Sequence, residues 1–245
     1  MTDIVIPLGF AYIPENTNNM LGDYGELKYC LRSIEKHLKN VGNIYLIGTN
    51  MPSWGTGLFQ IICGDKTGKE NKEWNIYNKI KVACAVNDVS NDFLFMNDDH
   101  YLTQDFDADY FPYYYDQTIG DGYVNRPSTY QTTRRNTGDA IGAGAKYFDV
   151  HSPIRYNKRL FEKVMRYDWD KPFGYCIKSL YGYVNNIEGH QQQDLKIPAV
   201  VSEHWLSVFM PDKPFFSTSD NCWNENGALL RMMDELYPKK SKWEK

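Results

Sequence analysis

The sequence predicts an α/β protein: a mixed sheet flanked by helices, with an irregular C-terminal region completing the same domain. Three observations predict it. Short apolar runs bounded by turn-forming residues alternate with stretches of helical period, the pattern of strands and their covering helices. The length, 245 residues, suits one large domain with a substantial core. The Phe-rich run at residues 93–96 leads straight into Asn97-Asp98-Asp99-His100, so a polar cluster closes a buried strand.

Taken in order, residues 3–8 form a β-branched first strand, and residues 16–22 are polar and turn-rich, a loop. Leu27, Leu31, Ile34 and Leu38 recur at helical spacing, which predicts a helix over 26–38. Residues 43–48 are a second strand and 61–64 a shorter third. Residues 65–72 are charged and flexible in character. A longer helix follows from about 73 to 89, and Asn75, Asn78 and Lys79 share a face of it. An amine and two amides there suit a nucleotide base or phosphate, the plain alternative being a solvated stripe. The strand ending at Asp98 and Asp99 is then the fourth.

Beyond it, residues 106–116 are aromatic and acidic, either a lobe packing on itself or a surface for stacking sugar. Residues 129–145 are polar and glycine-containing and read as a long loop, mobile enough to admit an acceptor. They lack the Gly-Lys-Ser/Thr ending of a phosphate-binding loop. His151 and Arg155 precede a helix marked by Leu160, Phe161, Val164 and Met165, and cations at its entrance suit a diphosphate. Residues 167–183 read as irregular or shortly helical, and 185–194 as a loop carrying Glu188, His190 and Asp194. Residues 198–205 read as a strand, 226–236 as a closing helix, and 239–245 as a frayed tail.

Composition excludes several classes. With 27 basic and 31 acidic side chains the net charge is −4, which argues against broad nonspecific binding to nucleic acid or membrane surfaces. The five cysteines are scattered without a C-x-x-C pair, so neither a zinc site nor a disulfide framework is expected, and a reducing cytoplasm is the expected compartment. No secretory-type start is present, and no apolar run approaches the ~18 residues of a membrane span.

The Asp98-Asp99 pair carries the chemistry. Adjacent carboxylates repel unless a cation or hydrogen-bond donors compensate. Such oxygens suit Mg²⁺ or Mn²⁺, ions commonly held by one or two carboxylates plus substrate phosphates. A metal–diphosphate site is one reading, and an ordinary turn or helix cap is the other.

Residues 26–47 (Glu-Leu-Lys-Tyr-Cys-Leu-Arg-Ser-Ile-Glu-Lys-His-Leu, then Asn-Ile-Tyr-Leu-Ile) resemble the leading block of nucleotide-sugar transferases, nearest the Stealth-type sugar-phosphate transferases of capsule synthesis. Residues 93–102 resemble their following block, and Asn97-Asp98-Asp99 resembles the Asp-x-Asp motif of GT-A glycosyltransferases. Asp149-Val150-His151-Ser152-Pro153 is similar to the Stealth His-x-Pro block. The chain departs from these patterns in having no Stealth opening motif near Ile4, and in carrying Asn97 at the first Asp position.

The resemblance implies a GT-A-like, Rossmann-related fold, with residues 1–105 as the nucleotide-sugar-binding part and 106–245 as the acceptor-side part of one catalytic domain. It implies Asp99 as a metal ligand with Asp98 in support, His204 as a late ligand and His100 as a further candidate, with Mn²⁺ or Mg²⁺ as cofactor. The donor contacts expected, from the motif and from the residue readings above together, are Pro7, Asn75, Lys79, Asn97, Asp98, His151 and Arg155. Catalytic candidates are Asp98 and, as base, Glu188, Asp194 or Glu203.

The expected function is metal-dependent transfer of a sugar from a nucleotide-sugar, a UDP-sugar foremost, to an acceptor hydroxyl of a glycan or a modified nucleobase. The alternatives are a Stealth-like sugar-1-phosphate transferase and a noncatalytic nucleotide- or sugar-binding protein. A metal-dependent phosphodiesterase would show more clustered Asp, His and Glu.

Overall fold

Six consecutive buried residues make the first strand, β1 (Thr2–Pro7). A run buried on both faces belongs inside a parallel sheet covered from both sides. The computed structural model describes residues 1–9, 25–125, 128–223 and 227–245, and within them the chain builds that sheet in sequence. After helix α1 (Glu26–His37) come β2 (Leu38–Lys39), β3 (Val41–Gly48) and β4 (Phe59–Ile62), then α2 (Lys72–Ala85) and β5 (Asp92–Phe95). Short strands β6 (His100–Leu102), β7 (Phe106–Asp107) and β8 (Tyr114–Tyr115) follow, then α3 (Thr129–Ile141), β9 (Ile154–Asn157), α4 (Lys158–Phe161) and α5 (Ile177–Val184). The chain closes with β10 (His190–Gln191), β11 (Lys196–Ile197), α6 (Glu203–Phe209), β12 (Phe215–Thr218) and α7 (Ala228–Leu236).

The main sheet has the order β4-β3-β1-β5-β9. Neighbours from β4 to β5 are parallel, whereas β9 runs antiparallel to β5. The chain steps outward from β1 to β3 and β4, then returns to lay β5 on the other side of β1. That reversal is a topological switch point, and the crevice beyond the carboxyl ends of β1 and β5 is where open α/β sheets place ligands. Because β9 pairs with β5, residues before and after position 105 share this sheet.

Alternation along each strand feeds two cores. Ile4, Ile6, Ile44, Leu46 and Leu94 pack on one face with Leu27, Leu31 and Ile34 of α1 and with Phe215, Phe216 and Met233. Val5, Tyr45, Ile47, Phe93 and Phe95 pack on the other with Tyr77 and Ile80 of α2 and with Leu180 and Tyr181 of α5. No helix of the described residues is long and apolar enough to cross a membrane.

Several elements differ from the sequence expectation. Residues 129–145 are not a long loop: α3 fills most of them. Ser128 caps it by accepting from the Gln131 amide, and Gly142, at φ 92°, stops it. Gln131, Thr133, Arg134, Asn136 and Thr137 of this helix are buried. Arg134 donates to the carbonyls of Thr118 and Ile119, and Asn136 to those of Pro172 and Gly174. A stripe that satisfies buried carbonyls shows no apolar period, so hydrophobic spacing misses it.

Residues 198–205 are not a strand. Pairing stops at Ile197, and Ser202 accepts from the Trp205 amide to start α6. Residues 154–157 are an unexpected strand, so Arg155 lies opposite Leu94 rather than at a helix entrance. Helix α2 ends at Ala85, short of 89, because Val86 turns extended. The tail is anchored rather than frayed: Glu244 accepts two bonds from Arg32 at 2.8 Å each, Trp243 is buried, and the Lys245 amide bonds the Trp54 carbonyl. The loop expected over 16–22, and Asn226, lie outside the described residues.

Candidate functional site

The carboxyl ends of β1 and β5 open onto a crevice of about 550 Å³. Pro7, Leu8 and Gly9 form one wall, Asn97 and Asp98 another. The third is the β4–α2 connection with the start of α2, and it brings Lys66, Lys69, Lys72 and Lys79 to the lining. The charged stretch 65–72 is therefore a wall of the crevice.

Asn75 clamps that wall, accepting from the Lys66 amide and donating to its carbonyl at 2.8 and 2.9 Å. Lys79 is buried in an ion pair with Asp65. Asn78 donates to the Cys63 sulfur at 3.4 Å. This face of α2 shapes the crevice by holding its third wall in place.

At the end of β5 the two acids part company. Asp98 lines the crevice. Asp99 has one oxygen, Oδ2, held by Lys196 Nζ at 3.2 Å and Ser217 Oγ at 3.0 Å. Its other oxygen, Oδ1, is buried without a partner. Imidazole Nδ1 of His100 accepts from the Asn97 amide at 3.3 Å, so the ring proton sits on Nε2, 3.8 Å from Asp99 Oδ1. Burial, with Lys178, His151 and Lys196 nearby, pushes His100 well below its ordinary value. In this tautomer Nδ1 spends its lone pair on the Asn97 amide and Nε2 carries the proton, so neither nitrogen offers a lone pair to an ion, which argues against His100 as a ligand.

Among the described residues no group of three His, Cys, Asp or Glu side chains is placed to hold a metal. The residues that would hold a divalent ion here are Asp98, which lines the crevice, and Asp99, whose unpartnered Oδ1 is buried; two carboxylates are donors that Mg²⁺ and Mn²⁺ share with substrate phosphates.

Beside the crevice lies a smaller chamber of about 180 Å³, with Lys72, Ile76 and Asn97 common to the walls of both. His151 lines it. Asp194 orients this ring, accepting from Nδ1 at 2.6 Å and from the His151 amide at 2.8 Å. Burial works against the Asp194 carboxylate, but the His151 hydrogen bond and charge, that amide and Lys178 hold it below its ordinary value. Lys178 donates to the carbonyls of Val150 and Ser152, pinning the His151 segment, and burial brings it down to about 8. Asp149 accepts from the amides of Lys178 and Ser179 and from the Ser179 hydroxyl.

Other sequence candidates lie elsewhere. Arg155 donates to the Asp109 carbonyl and stands over the Tyr113 ring. Glu188 is exposed and paired with Lys146. His204 is exposed on α6, and Glu203 pairs with Arg231 across α6 and α7. Glu203 lines a groove of about 710 Å³ between those helices. That groove shares no lining residue with the Asp98 crevice or the His151 cluster, so its volume alone does not make it the site. Spacing gave no signal for Lys66, Lys69, Lys72, Glu73 or Lys178, because each reaches the site through tertiary packing.

Fold and crevice together define an α/β protein with an open crevice at the switch point of its sheet. No family model matches the chain, and no curated protein matches it. Among solved structures it is similar to the glycosyltransferase GlyE of Streptococcus pneumoniae TIGR4, at 13% identity and a TM-score of 0.46, over 98% of this chain and 62% of that one. The chain thus spans less than two thirds of that structure's length, and a likeness this distant leaves the functional argument to the residues themselves.

Proposed function

We propose that the protein is a glycosyltransferase that takes its sugar from a nucleotide-sugar, a UDP-sugar foremost, with Mn²⁺ or Mg²⁺ bound at Asp98 and Asp99. The observation that carries this reading is the adjoining crevice and chamber at the switch point. One side has lysines and backbone for a diphosphate, and the other holds an oriented imidazole.

The roles follow from the chemistry. Lys69 and Lys72 bind the diphosphate, and their charge favours its departure. A bound divalent ion would add further neutralisation of that diphosphate. His151, with Nδ1–H given to Asp194, keeps Nε2 for the acceptor's proton. The acceptor oxygen attacks the sugar's anomeric carbon, the bond to the diphosphate oxygen breaks, and its electron pair leaves with the nucleoside diphosphate.

The test is binding and slow donor hydrolysis with UDP-, GDP- and dTDP-sugars, with and without Mn²⁺. The expected result is a raised Tm with at least one donor, larger with Mn²⁺. In Asp98→Asn this gain should be lost while the free protein's Tm is kept. If no nucleotide changes the Tm, the reading fails.

The orientation of His151 by Asp194 also favours a second reading, transfer of sugar-1-phosphate, in which His151 contacts the phosphoryl group. The released product separates the two: nucleoside diphosphate for glycosyl transfer, monophosphate for phosphoryl transfer.

A further inference from the structure

The chamber has a size and an unmet hydrogen-bonding capacity that together describe its guest. Its volume, about 180 Å³, is a third of the crevice's 550 Å³, room for a small polar group rather than a whole nucleotide. A nucleotide needs the larger crevice outside.

Most polar groups of the chamber are already used. Asp149 is filled by amides and a hydroxyl at the start of α5, and Lys178 by two carbonyls. The hydroxyls of Tyr130 and Tyr147 bond each other at 2.7 Å. Two groups remain. Nε2 of His100, a residue 1% exposed that lines the chamber, is a buried donor without a partner. Glu73, in the first turn of α2, also lines the chamber and accepts no hydrogen bond from any described residue. Burial, with Asp149 near it, pushes Glu73 up to about 7 against the opposing pull of Lys72. Gly174 packs over Glu73: a Cβ there would stand 3.1 Å from the Glu73 Cβ. The half-buried side chain is thus held at the chamber wall.

An empty acceptor beside an empty donor matches a hydroxylated ring, since each hydroxyl both donates and accepts. A guest bearing its own carboxylate would instead set a further negative charge beside Glu73 and Asp149. We propose that the chamber seats the donor's sugar, and that Glu73 accepts hydrogen bonds from its hydroxyls and selects neutral hexoses over uronic acids. This rests on the nucleotide-sugar reading and deepens it.

The test measures affinities of the full-length protein by calorimetry without acceptor. The probes are UDP, UDP-glucose, UDP-galactose and UDP-glucuronate, with the GDP and dTDP counterparts where UDP does not bind. A hexosyl donor should bind roughly tenfold or more tighter than its parent diphosphate, the scale of a hydrogen bond to a charged group. The uronate should gain nothing. Glu73→Ala should abolish the hexose increment and leave diphosphate affinity unchanged, and the isosteric Glu73→Gln should narrow the hexose-over-uronate preference. Equal affinity of wild type for hexosyl donor and diphosphate, or an equal loss of both in Glu73→Ala, overturns the chamber assignment alone. If no diphosphate binds the wild type, the nucleotide-sugar reading falls, and this inference with it.

Discussion

Lys196 Nζ lies 3.2 Å from Asp99 Oδ2, so the second acid of the motif comes with a counter-ion built in. A resident ammonium competes with any divalent ion for that carboxylate. Lys196→Met should therefore strengthen Mn²⁺ binding roughly fivefold, the scale of a partly exposed ion pair of about 1 kcal/mol. Titrating the Tm against Mn²⁺ measures this. An identical response in variant and wild type would show that Lys196 and the ion do not share Asp99.

Lys79 and Asp65 form a buried pair, their side chains 4% and 6% exposed. Removing one partner strands the other's charge. Lys79→Met should cost about 3–5 kcal/mol in urea unfolding, and adding Asp65→Leu should recover most of it. A double variant no more stable than Lys79→Met would mean that the pair is not what holds the crevice wall.

Asp194 is an acid whose folded value is depressed. Its contribution to stability is present above the unfolded value, near ~3.9, and is lost as pH falls through the lower folded value. Asp194→Asn should melt below wild type at pH 6 to 7, with the gap closing below about pH 4. A gap that stays constant down to pH 3 contradicts the assigned ion pair.

Glu73 runs the other way. Its folded value is raised to about 7, above an unfolded value near ~4.3. The folded state therefore binds the extra proton between these values, and stability falls as pH rises across that window. Glu73→Gln should match wild type near pH 4 and exceed it above pH 7 by on the order of 2 kcal/mol. Calorimetric melting across pH checks it, and a variant less stable at pH 8 refutes it.

The legible parts of this chain were those with a local cause. The Leu27-Leu31-Ile34 spacing marks α1, and the doubly buried runs at Ile4 and Phe93 mark β1 and β5. The polar cluster at the end of β5 was legible because it follows a buried apolar run directly, and the structure places Asn97 and Asp98 at a crevice there. Helix α3 was not, since Arg134 and Asn136 face inward to carbonyls more than a dozen residues away. The roles of Glu188, Glu203 and His204 were not legible either: nothing in a residue's neighbours says which side of the sheet its loop will reach.

Sequence by itself determined the α/β layer and the position of Asp98 at the end of a buried strand, because strand and helix periods are written in consecutive residues. Only the tertiary structure decided that Asp99 turns to Lys196, that four lysines line the crevice, and that Glu73, His100 and His151 meet around one chamber. Those partners are far apart in the chain, and their contacts arise from how the sheet and its helices pack.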